Sequence, residues 1–420
     1  MVFPKKSKLS SKTISEEYQA IISKFEEHGI IPPTKTKFSY SVLNTPTTHT
    51  TPYIHQSYNL ANNTKLESAE NLNCKINQIS IDELFNKYKK NGFIYPEKMK
   101  KLKPYFEQIK HNWKKMLLKN DSLLSIYTYE NPITNHWASV SSWKENQALW
   151  CCQHLSSNGN PIGSRSVLLA MQKGFIDKAP THNYNYIQNW FRPNNKYAKK
   201  VFGSLQNTVK QNISCIFEHC YLAINPASQL QTSKNITIKN YHVNHHEELI
   251  HFLTINRHKM FIEAGQFNSN DINLESINES YKSIGLFKRR HILLAFSKSQ
   301  LVGVAIVYRS PIGLNFSLLE NRCELIINNN LTSDTCQNIC SNLLNQVKTY
   351  YSKFEAPYIP VITDNHNATL LTIMGHSIIR KYNQSIWSKD GYIDWYKNVD
   401  KIFSRVCERE KKKHLVHEIR

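Results

Sequence analysis

The pattern of apolar and polar positions contains one series of elements twice. In Tyr184–Leu205 a short aromatic strand precedes a turn and a helix that Asn195 opens, since Asn is a favoured N-cap residue. Ala198 and the apolar residues after it recur at helical spacing on one face of that helix. A second strand, turn and helix of the same plan occupies Tyr358–Ile379, where Gly375 ends the helix. Two copies in one chain predict two similar domains.

Hydrophobic periodicity before the first copy predicts three helices and three strands. The helices carry apolar residues every three or four positions, and the strands are short runs rich in apolar and aromatic residues. The predicted helices are Ile81–Lys90, Glu97–Leu118 and Ile162–Lys173, and the predicted strands are Ser122–Glu130, His136–Trp143 and Gln147–Leu155. With the first copy added, the order is helix, helix, three strands, helix, strand, helix.

A similar order follows Ile236. The predicted helices are Val243–Ile255, Ile272–Ser283 and Ser333–Tyr351, and the predicted strands are His291–Ser297, Leu301–Arg309, Glu324–Asn328 and Tyr358–Thr363. Helices that alternate with strands in this way predict an α/β fold, with a mixed sheet in each half.

The segments between these patterns predict the domain boundaries. The first segment is expected to be a largely flexible arm with one short helix, Ile14–Glu27, because Pro32–Thr64 has too little apolar content to pack. The linker is rich in Gln, Asn and Ser and contains one apolar strand, Cys220–Ile224. The predicted divisions are 1–75 for the arm, 76–210 for the first domain, 211–235 for the linker, 236–400 for the second domain and 401–420 for a charged C-terminal helix.

The net charge of +21 predicts attraction to an anionic partner without identifying it. A nucleic acid, a phosphorylated cofactor, an acidic membrane surface and an acidic protein all stay open. No run approaches the roughly 20 apolar residues that a membrane-spanning helix needs. The N-terminal segment also lacks the apolar core of a signal peptide. We therefore expect no transmembrane segment and a cytoplasmic location.

The nine cysteines are expected to be reduced thiols, because an odd number in a long chain without a signal peptide does not indicate a disulfide framework. Cys151, Cys152 and His154 lie in one predicted strand, and a Cys/His group at 215–220 would complete a zinc site. However, adjacent strand residues point to opposite faces, and the chain has no C-x-x-C pair. This favours buried thiols over zinc, and no metal is expected.

Two short motifs lie in the repeated helices. The helix at Asn195 reads N-x-x-A-x-x-V-F, and the one at Asn365 reads N-x-x-A-x-x-L and ends at Gly375. These motifs and the order of elements resemble the GNAT superfamily of acyl-CoA-dependent N-acyltransferases, over residues 80–205 and 236–390. The resemblance implies tandem GNAT-like domains, the second degenerate. It further implies transfer of an acyl group, acetyl in the first instance, from acetyl-CoA or another acyl-CoA to an amine.

In this family the coenzyme A pyrophosphate lies at the N-terminus of a helix, where backbone N–H groups and the helix dipole favour an anion. The candidate cofactor-binding residues are Asn158, Gly159, Asn160, Gly163, Ser164 and Arg165 in the loop before the third helix, together with Asn195. This loop matches the family's Q/R-x-x-G-x-G/A pattern in part, because Arg165 stands where a small residue is expected. A plain turn with an N-cap is the alternative. The matching loop of the second half, Asn328–Ser333, has no glycine, which makes cofactor binding there less expected.

Acyl transfer requires an amine to lose a proton and a thiolate to gain one. The resemblance implies a Tyr as the acid, but Phe202 and Thr372 occupy its positions. Either another group supplies the proton or the site is inactive. The candidate catalytic residues are His154, at the end of the strand before the loop, and Glu324, which opens the corresponding strand of the second half. A packing role is the alternative for each.

Three classes of function stay open. The first is an N-acyltransferase with an unknown amine acceptor, either a small molecule or a protein, and its variant resembles the Fem-like transferases that use aminoacyl-tRNA. The second is a degenerate GNAT-like scaffold, and the third is nucleic-acid binding. A V-shaped gap between the fourth and fifth strands of the first half, open towards Asn158–Arg165, would favour a cofactor slot.

Overall fold

One mixed sheet organises the part of the chain that a computed structural model describes, which is residues 74–119, 122–159, 161–182, 185–203, 212–354, 356 and 358–418. The arm predicted over 1–75, with its helix at Ile14–Glu27, lies outside these residues except for Cys74 and Lys75. Asn160, one of the candidate cofactor ligands, also lies outside them.

The strands of the described residues include every strand that the pattern predicts, with ends that differ by a few residues. They are β1 (Cys74–Ile76), β2 (Leu124–Asn131), β3 (His136–Lys144), β4 (Leu149–Ser157), β5 (Tyr186–Phe191), β6 (Ser214–Ile224), β7 (Ile236–Asn240), β8 (Arg289–Ser297), β9 (Gln300–Arg309), β10 (Cys323–Ile327), β11 (Ile359–Thr363) and β12 (Ile378–Ser388). The pattern does not predict β1, β7 and β12.

The helices follow the predicted order, with one division and with one helix, Lys259–Ala264, that the pattern does not predict. They are α1 (Ile81–Lys90), α2 (Pro96–Leu102), α3 (Phe106–Leu117), α4 (Pro161–His182), α5 (Lys196–Phe202), α6 (His246–Asn256), α7 (Lys259–Ala264), α8 (Glu275–Lys282), α9 (Ser333–Thr349), α10 (Asn365–Ile373) and α11 (Lys389–Glu418). The single helix predicted over Glu97–Leu118 was wrong, because a 3₁₀ turn at Lys103–Tyr105 separates α2 from α3. Pro104 lies in this turn, and proline lacks the N–H that a continuous helix needs.

The two halves of the sheet exchange their last strands. The strand order is β1-β2-β3-β4-β5-β12-β6-β11-β10-β9-β8-β7. The last strand of the second half, β12, pairs antiparallel with β5, and β6 of the first half pairs antiparallel with β11. The two exchanged strands also pair with each other at the centre. The segment predicted as a linker, 211–235, thus contains the eleven-residue strand β6. The boundaries drawn at 210 and 236 stay a prediction.

Helices cover both faces of the sheet and separate its cores. Trp113 of α3 packs with Trp143 and Cys151 on one face of the first half. On the other face Cys152 packs with residues of α4 and with Trp395 of α11. The adjacent cysteines therefore point to opposite faces, as the strand period predicts.

The caps of the repeated helices differ in position by one residue. The Asn195 side chain accepts a hydrogen bond from the Ala198 N–H at 3.1 Å, which confirms it as the N-cap of α5. In the second copy Asp364 is the N-cap and accepts from the Asn367 N–H, so Asn365 is the first residue of α10.

A buried ion cluster joins the two halves. Glu145, in the turn between β3 and β4, accepts a hydrogen bond from the Lys288 ammonium at 2.9 Å and lies 3.4 Å from an Arg322 guanidinium nitrogen. All three side chains are 5% exposed or less. Burial alone would raise the pKa of Glu145, but Lys288 and Arg322 outweigh it and lower this pKa to about 2. Glu145 is therefore ionised and holds two cations of the second half.

We predict that Glu145→Gln lowers the free energy of unfolding by about 3–5 kcal/mol, because it leaves buried cations without this carboxylate. In the native protein the folded pKa of Glu145 lies below its ordinary value. Its contribution is therefore present above about pH 4.5 and is lost as the pH falls towards about 2. Guanidinium titration followed by tryptophan fluorescence measures both effects.

Glu279→Gln is the matched control, since Glu279 forms an exposed pair with Lys282 at 2.7 Å. It should cost less than about 1 kcal/mol. Equal losses for the two variants would contradict the role assigned to the cluster.

Candidate active site

The β4–β5 pair opens part of the way along its length. The two strands pair in parallel from Leu149 with Tyr186 to Cys152 with Asn189, and β4 then continues to Ser157 without further pairing to β5. Beyond this point single side chains bridge the strands, since Gln153 Nε2 donates to the Trp190 carbonyl oxygen at 3.3 Å. The first half therefore has a gap at the place where the GNAT resemblance implies one.

A cleft of about 390 Å³ occupies this gap. Its volume lies within the range of about 300–1,000 Å³ that is typical of small-molecule pockets. The loop after α1, the opened strands, the start of α5, the loop at 315–317 of the second half and strand β12 all contribute to its walls. Lining residues include Phe93, Lys98, His154, Trp190, Tyr197 and Tyr382.

His154 lies at a bulge in β4. The register between β3 and β4 shifts here, because Ser141 pairs with Gln153 and Ser139 pairs with Ser156, so that two residues of β4 oppose one of β3. The φ of His154 is 59°, in the left-handed region. A bulge re-aims a side chain relative to the strict alternation of a strand. The His154 ring therefore lies on the face of α3, with its centroid 5.2 Å from that of Trp113.

The hydrogen bonds of the Ser141 hydroxyl favour one tautomer of His154. Nδ1 lies 2.8 Å from the Ser141 hydroxyl oxygen, and this hydroxyl donates its only proton to the Gln153 carbonyl oxygen at 3.3 Å. With its proton on Gln153, the hydroxyl accepts from Nδ1–H, and in this tautomer Nε2 carries no proton. Nε2 is buried and has no hydrogen-bond partner among the described residues. It is thus a proton acceptor in the wall of the cleft.

Burial, with a smaller effect of the nearby Lys98 charge, holds the pKa of His154 well below its usual range. The imidazole is therefore neutral near pH 7. Lys98 is itself half-buried, and its ammonium lies 4.6 Å from the ring centroid of Phe93. Burial, Arg192 and Arg380 lower the pKa of Lys98 to about 8. The cleft is an environment that disfavours positive charge.

The predicted phosphate loop meets the cleft at one point, where the Tyr197 hydroxyl hydrogen-bonds Ser164. Gly159 has φ +94°, which explains a glycine at this turn. Asn158 has a structural role, since its Oδ1 accepts from the Trp137 N–H at 3.1 Å. A Cβ atom at Gly163 would come within 3.0 Å of Tyr129, so this glycine allows α4 to pack on the sheet.

Arg165 and Asn195 make different kinds of contact. The Arg165 guanidinium pairs with Asp400 of α11 at 2.8 Å, so Arg165 holds the C-terminal helix against α4. Asn195 lines the cleft and caps α5. Of the loop residues, Ser164 is therefore the one that the described contacts connect to the cleft.

Glu324 lies apart from His154. It is fully buried in β10, and one carboxylate oxygen is 3.6 Å from Arg257 Nε. Burial raises its pKa, and Arg257 opposes this effect. The lining of the cleft does not include it. The structure therefore does not bring together the two residues that the sequence analysis selected as catalytic.

The corresponding gap in the second half is bridged by hydrogen bonds. β10 and β11 pair in parallel at two positions, Cys323 with Val361 and Glu324 with Ile362. Beyond them the Thr363 hydroxyl donates to the Leu325 carbonyl oxygen at 2.9 Å. Side-chain hydrogen bonds cross both gaps, so the observation that favours the first half as the binding half is the cleft that His154 lines.

Sequence reasoning missed the tyrosine that enters the cleft from β12. Phe202 is buried and stacks on Trp395 with ring centroids 6.0 Å apart, and its ring also lines the cleft but carries no hydroxyl. Tyr382 lines the same cleft, and its hydroxyl interacts with the Arg380 guanidinium. No pattern in the sequence indicates this placement, because it depends on the strand exchange.

Two kinds of site are not found in the described residues. They contain no group of three His, Cys, Asp or Glu side chains that could hold a metal ion, and the described cysteines are free thiols. None of the described helices is both long and apolar enough to span a bilayer.

We predict that His154 keeps a proton on Nδ1 and none on Nε2 between about pH 5 and pH 8. Two-dimensional ¹⁵N–¹H spectra of histidine-labelled protein measure this tautomer, and Ser141→Ala should let the Nε2–H form appear. Titration of His154 near its ordinary pKa, or an Nε2–H form in the native protein, would contradict the geometry.

No family model matches the chain, and no curated protein matches it. Solved structures show a likeness at low identity. A Drosophila protein has a TM-score of 0.40 and 10% identity, covering 73% of this chain and 95% of that one. A GCN5-related N-acetyltransferase from Sphaerobacter thermophilus has a TM-score of 0.35 and 9% identity, covering 64% and 81%. A tandem GNAT protein from the clavulanic acid biosynthesis pathway has a TM-score of 0.33 and 10% identity, covering 63% and 83%. Through its own strand order and parallel pairs, the described chain has a mixed α/β sheet with one parallel pair of strands in each half.

Proposed function

We propose that the first half binds an acyl-CoA in the β4–β5 cleft and transfers the acyl group to an amine. The observation that carries this proposal is that His154 Nε2 is buried and has no hydrogen-bond partner among the described residues. His154 lines the cleft that opens where β4 and β5 stop pairing. A buried polar atom without a partner is costly, which favours a ligand that hydrogen-bonds to it.

His154 suits the first proton transfer. An amine must lose a proton as it attacks, and Nε2 can accept it while Ser141 holds Nδ1–H in place. The low pKa of His154 makes it a weak base. Lys98 and Arg192 offset this weakness, since nearby cations also lower the pKa of a bound ammonium. The amine would thus arrive as the neutral nucleophile.

The residues around the cleft fit an acyl-CoA in part. When bound, this group supplies an activated thioester carbonyl. The N-terminus of the 22-residue helix α4 has no acidic residue in its first turn, which suits a pyrophosphate. Ser164 and Tyr197 connect that turn with the cleft. Because Arg165 forms an ion pair with Asp400, we assign it no role in binding the pyrophosphate.

Tyr382 is the proposed proton donor for the leaving thiolate. The family position on the last helix is Phe202, which carries no proton to donate. Tyr382 lines the same cleft as His154 and has the hydroxyl that Phe202 lacks. The exchanged strand β12 would in this way complete the site of the first half.

We predict that acetyl-CoA or a longer acyl-CoA binds the full chain, and that His154→Gln leaves its Kd within about threefold but lowers turnover about 10²–10⁴-fold. Isothermal titration calorimetry measures binding, and thiol release in the presence of a panel of primary amines measures turnover. Tyr382→Phe should lower turnover without changing the Kd.

His219→Gln is the matched control, because His219 is also buried but bonds Gln384 and does not line the cleft. It should keep turnover. Folded protein that gives no heat with millimolar acetyl-CoA or octanoyl-CoA would refute the proposal. In that case the non-catalytic scaffold becomes the better account.

A further inference from the structure

A second cavity of about 330 Å³ lies beside the cleft. Lys98, Phe316 and Ser317 line both spaces and form their shared wall. The outer walls of the second cavity come from α2, the 3₁₀ turn after it, β6 and the start of β12. A molecule in this cavity would therefore lie next to the cleft that holds His154.

The walls of the second cavity are mainly aromatic and apolar. Tyr221, Phe316 and Leu318 lie on one side, and Tyr358 and Ile379 complete the surface. The Tyr221 hydroxyl donates to the Ser317 carbonyl oxygen at 2.9 Å, which fixes this wall. The cavity therefore suits a ligand with an apolar body.

The charged groups around the two cavities are all positive. Lys98, Lys100, Lys101 and Arg380 line the second cavity, and Arg192 lines the cleft. The described lining of both spaces contains no Asp or Glu. None of these five cations forms an ion pair with an acidic group within the described residues.

Three of the five cations, Arg192 among them, are half-buried. Lys98 and Arg380 are half-buried, whereas Lys100 and Lys101 are exposed at the edge. Arg192 donates to the Tyr95 hydroxyl oxygen at 2.9 Å, which leaves its charge without a counter-ion in the described chain. Half-buried like charges that lie close together repel each other, and an anionic ligand would relieve this repulsion.

We propose that the second cavity binds the acyl acceptor and that this acceptor carries an anionic group, a carboxylate or a phosphate, on an apolar body. Arg380 and Lys98 would pair with the anion, the aromatic wall would pack on the body, and the amine would reach towards His154. This inference rests on the proposed acyl transfer and names its acceptor class. The cavity volume suits a small molecule.

The test compares probes that share a phenyl ring and carry either an anionic or an uncharged polar group. 3-Phenylpropionate, phenyl phosphate and uncharged 3-phenylpropan-1-ol are titrated by calorimetry into the full chain saturated with CoA. At least one anion should bind about tenfold or more tightly than the alcohol, and the better anion identifies carboxylate or phosphate. Arg380→Gln should lower the affinity for that anion about tenfold and leave the affinity for CoA unchanged.

Lys381→Gln is the matched control, since Lys381 is the next residue of β12, is exposed and bonds Asn365 instead. It should change neither affinity. Turnover should in addition favour phenylalanine over phenethylamine. Normal CoA binding with no preference for either anion, or equal effects of the two variants, would overturn this inference alone, whereas failure of CoA binding would refute the proposed function.

Discussion

The exchange of the last strands is the constraint on which the rest of the structure depends. β12 takes the place beside β5, and β6 takes the place beside β11, so each half contains a strand of the other. The sheet of each half is therefore completed by hydrogen bonds to a strand of the other half. Neither half can form a finished sheet alone, and the two are expected to fold as one unit.

The exchange also shapes the candidate site. Because β12 lies next to β5, its Tyr382 reaches the cleft of the first half, and Arg380 lies beside it. The second half contributes the loop at 315–317 to the same cleft. The second half thus supplies part of the walls of the candidate site in the first half. Side-chain hydrogen bonds cross the gap in each half, from Gln153 in the first and from Thr363 in the second.

The sequence was sufficient for the elements that depend on local pattern. Apolar periodicity and the cap at Asn195 predicted the order of most strands and helices and the mixed α/β class of the fold. It was not sufficient for β12, because this strand is polar along much of its length. Gln384 in the middle of β12 is buried and donates to Gln188, 196 residues away, at 2.8 Å. Such pairing leaves no periodic signature.

The candidate site was predicted only in part, for the same reason. His154 was selected as a histidine at a strand end, but the bulge that aims it and its bond to Ser141 are properties of the paired strands. Arg165 was selected for its place in a loop, whereas its partner Asp400 lies 235 residues away. Residue type and spacing indicate which chemistry is present, and the long-range contacts decide which residues perform it.

The central claim is that an acyl-CoA lies between β4 and β5 with its reactive carbon beside His154. A crystal structure of the full chain with acetonyl-CoA, which has a methylene group between the sulfur and the carbonyl, tests it most directly. The account predicts that the pantetheine arm lies in the gap after Cys152 and that the ketone carbon lies near His154 Nε2. Density for the analogue between β10 and β11, or only on the surface, would contradict it.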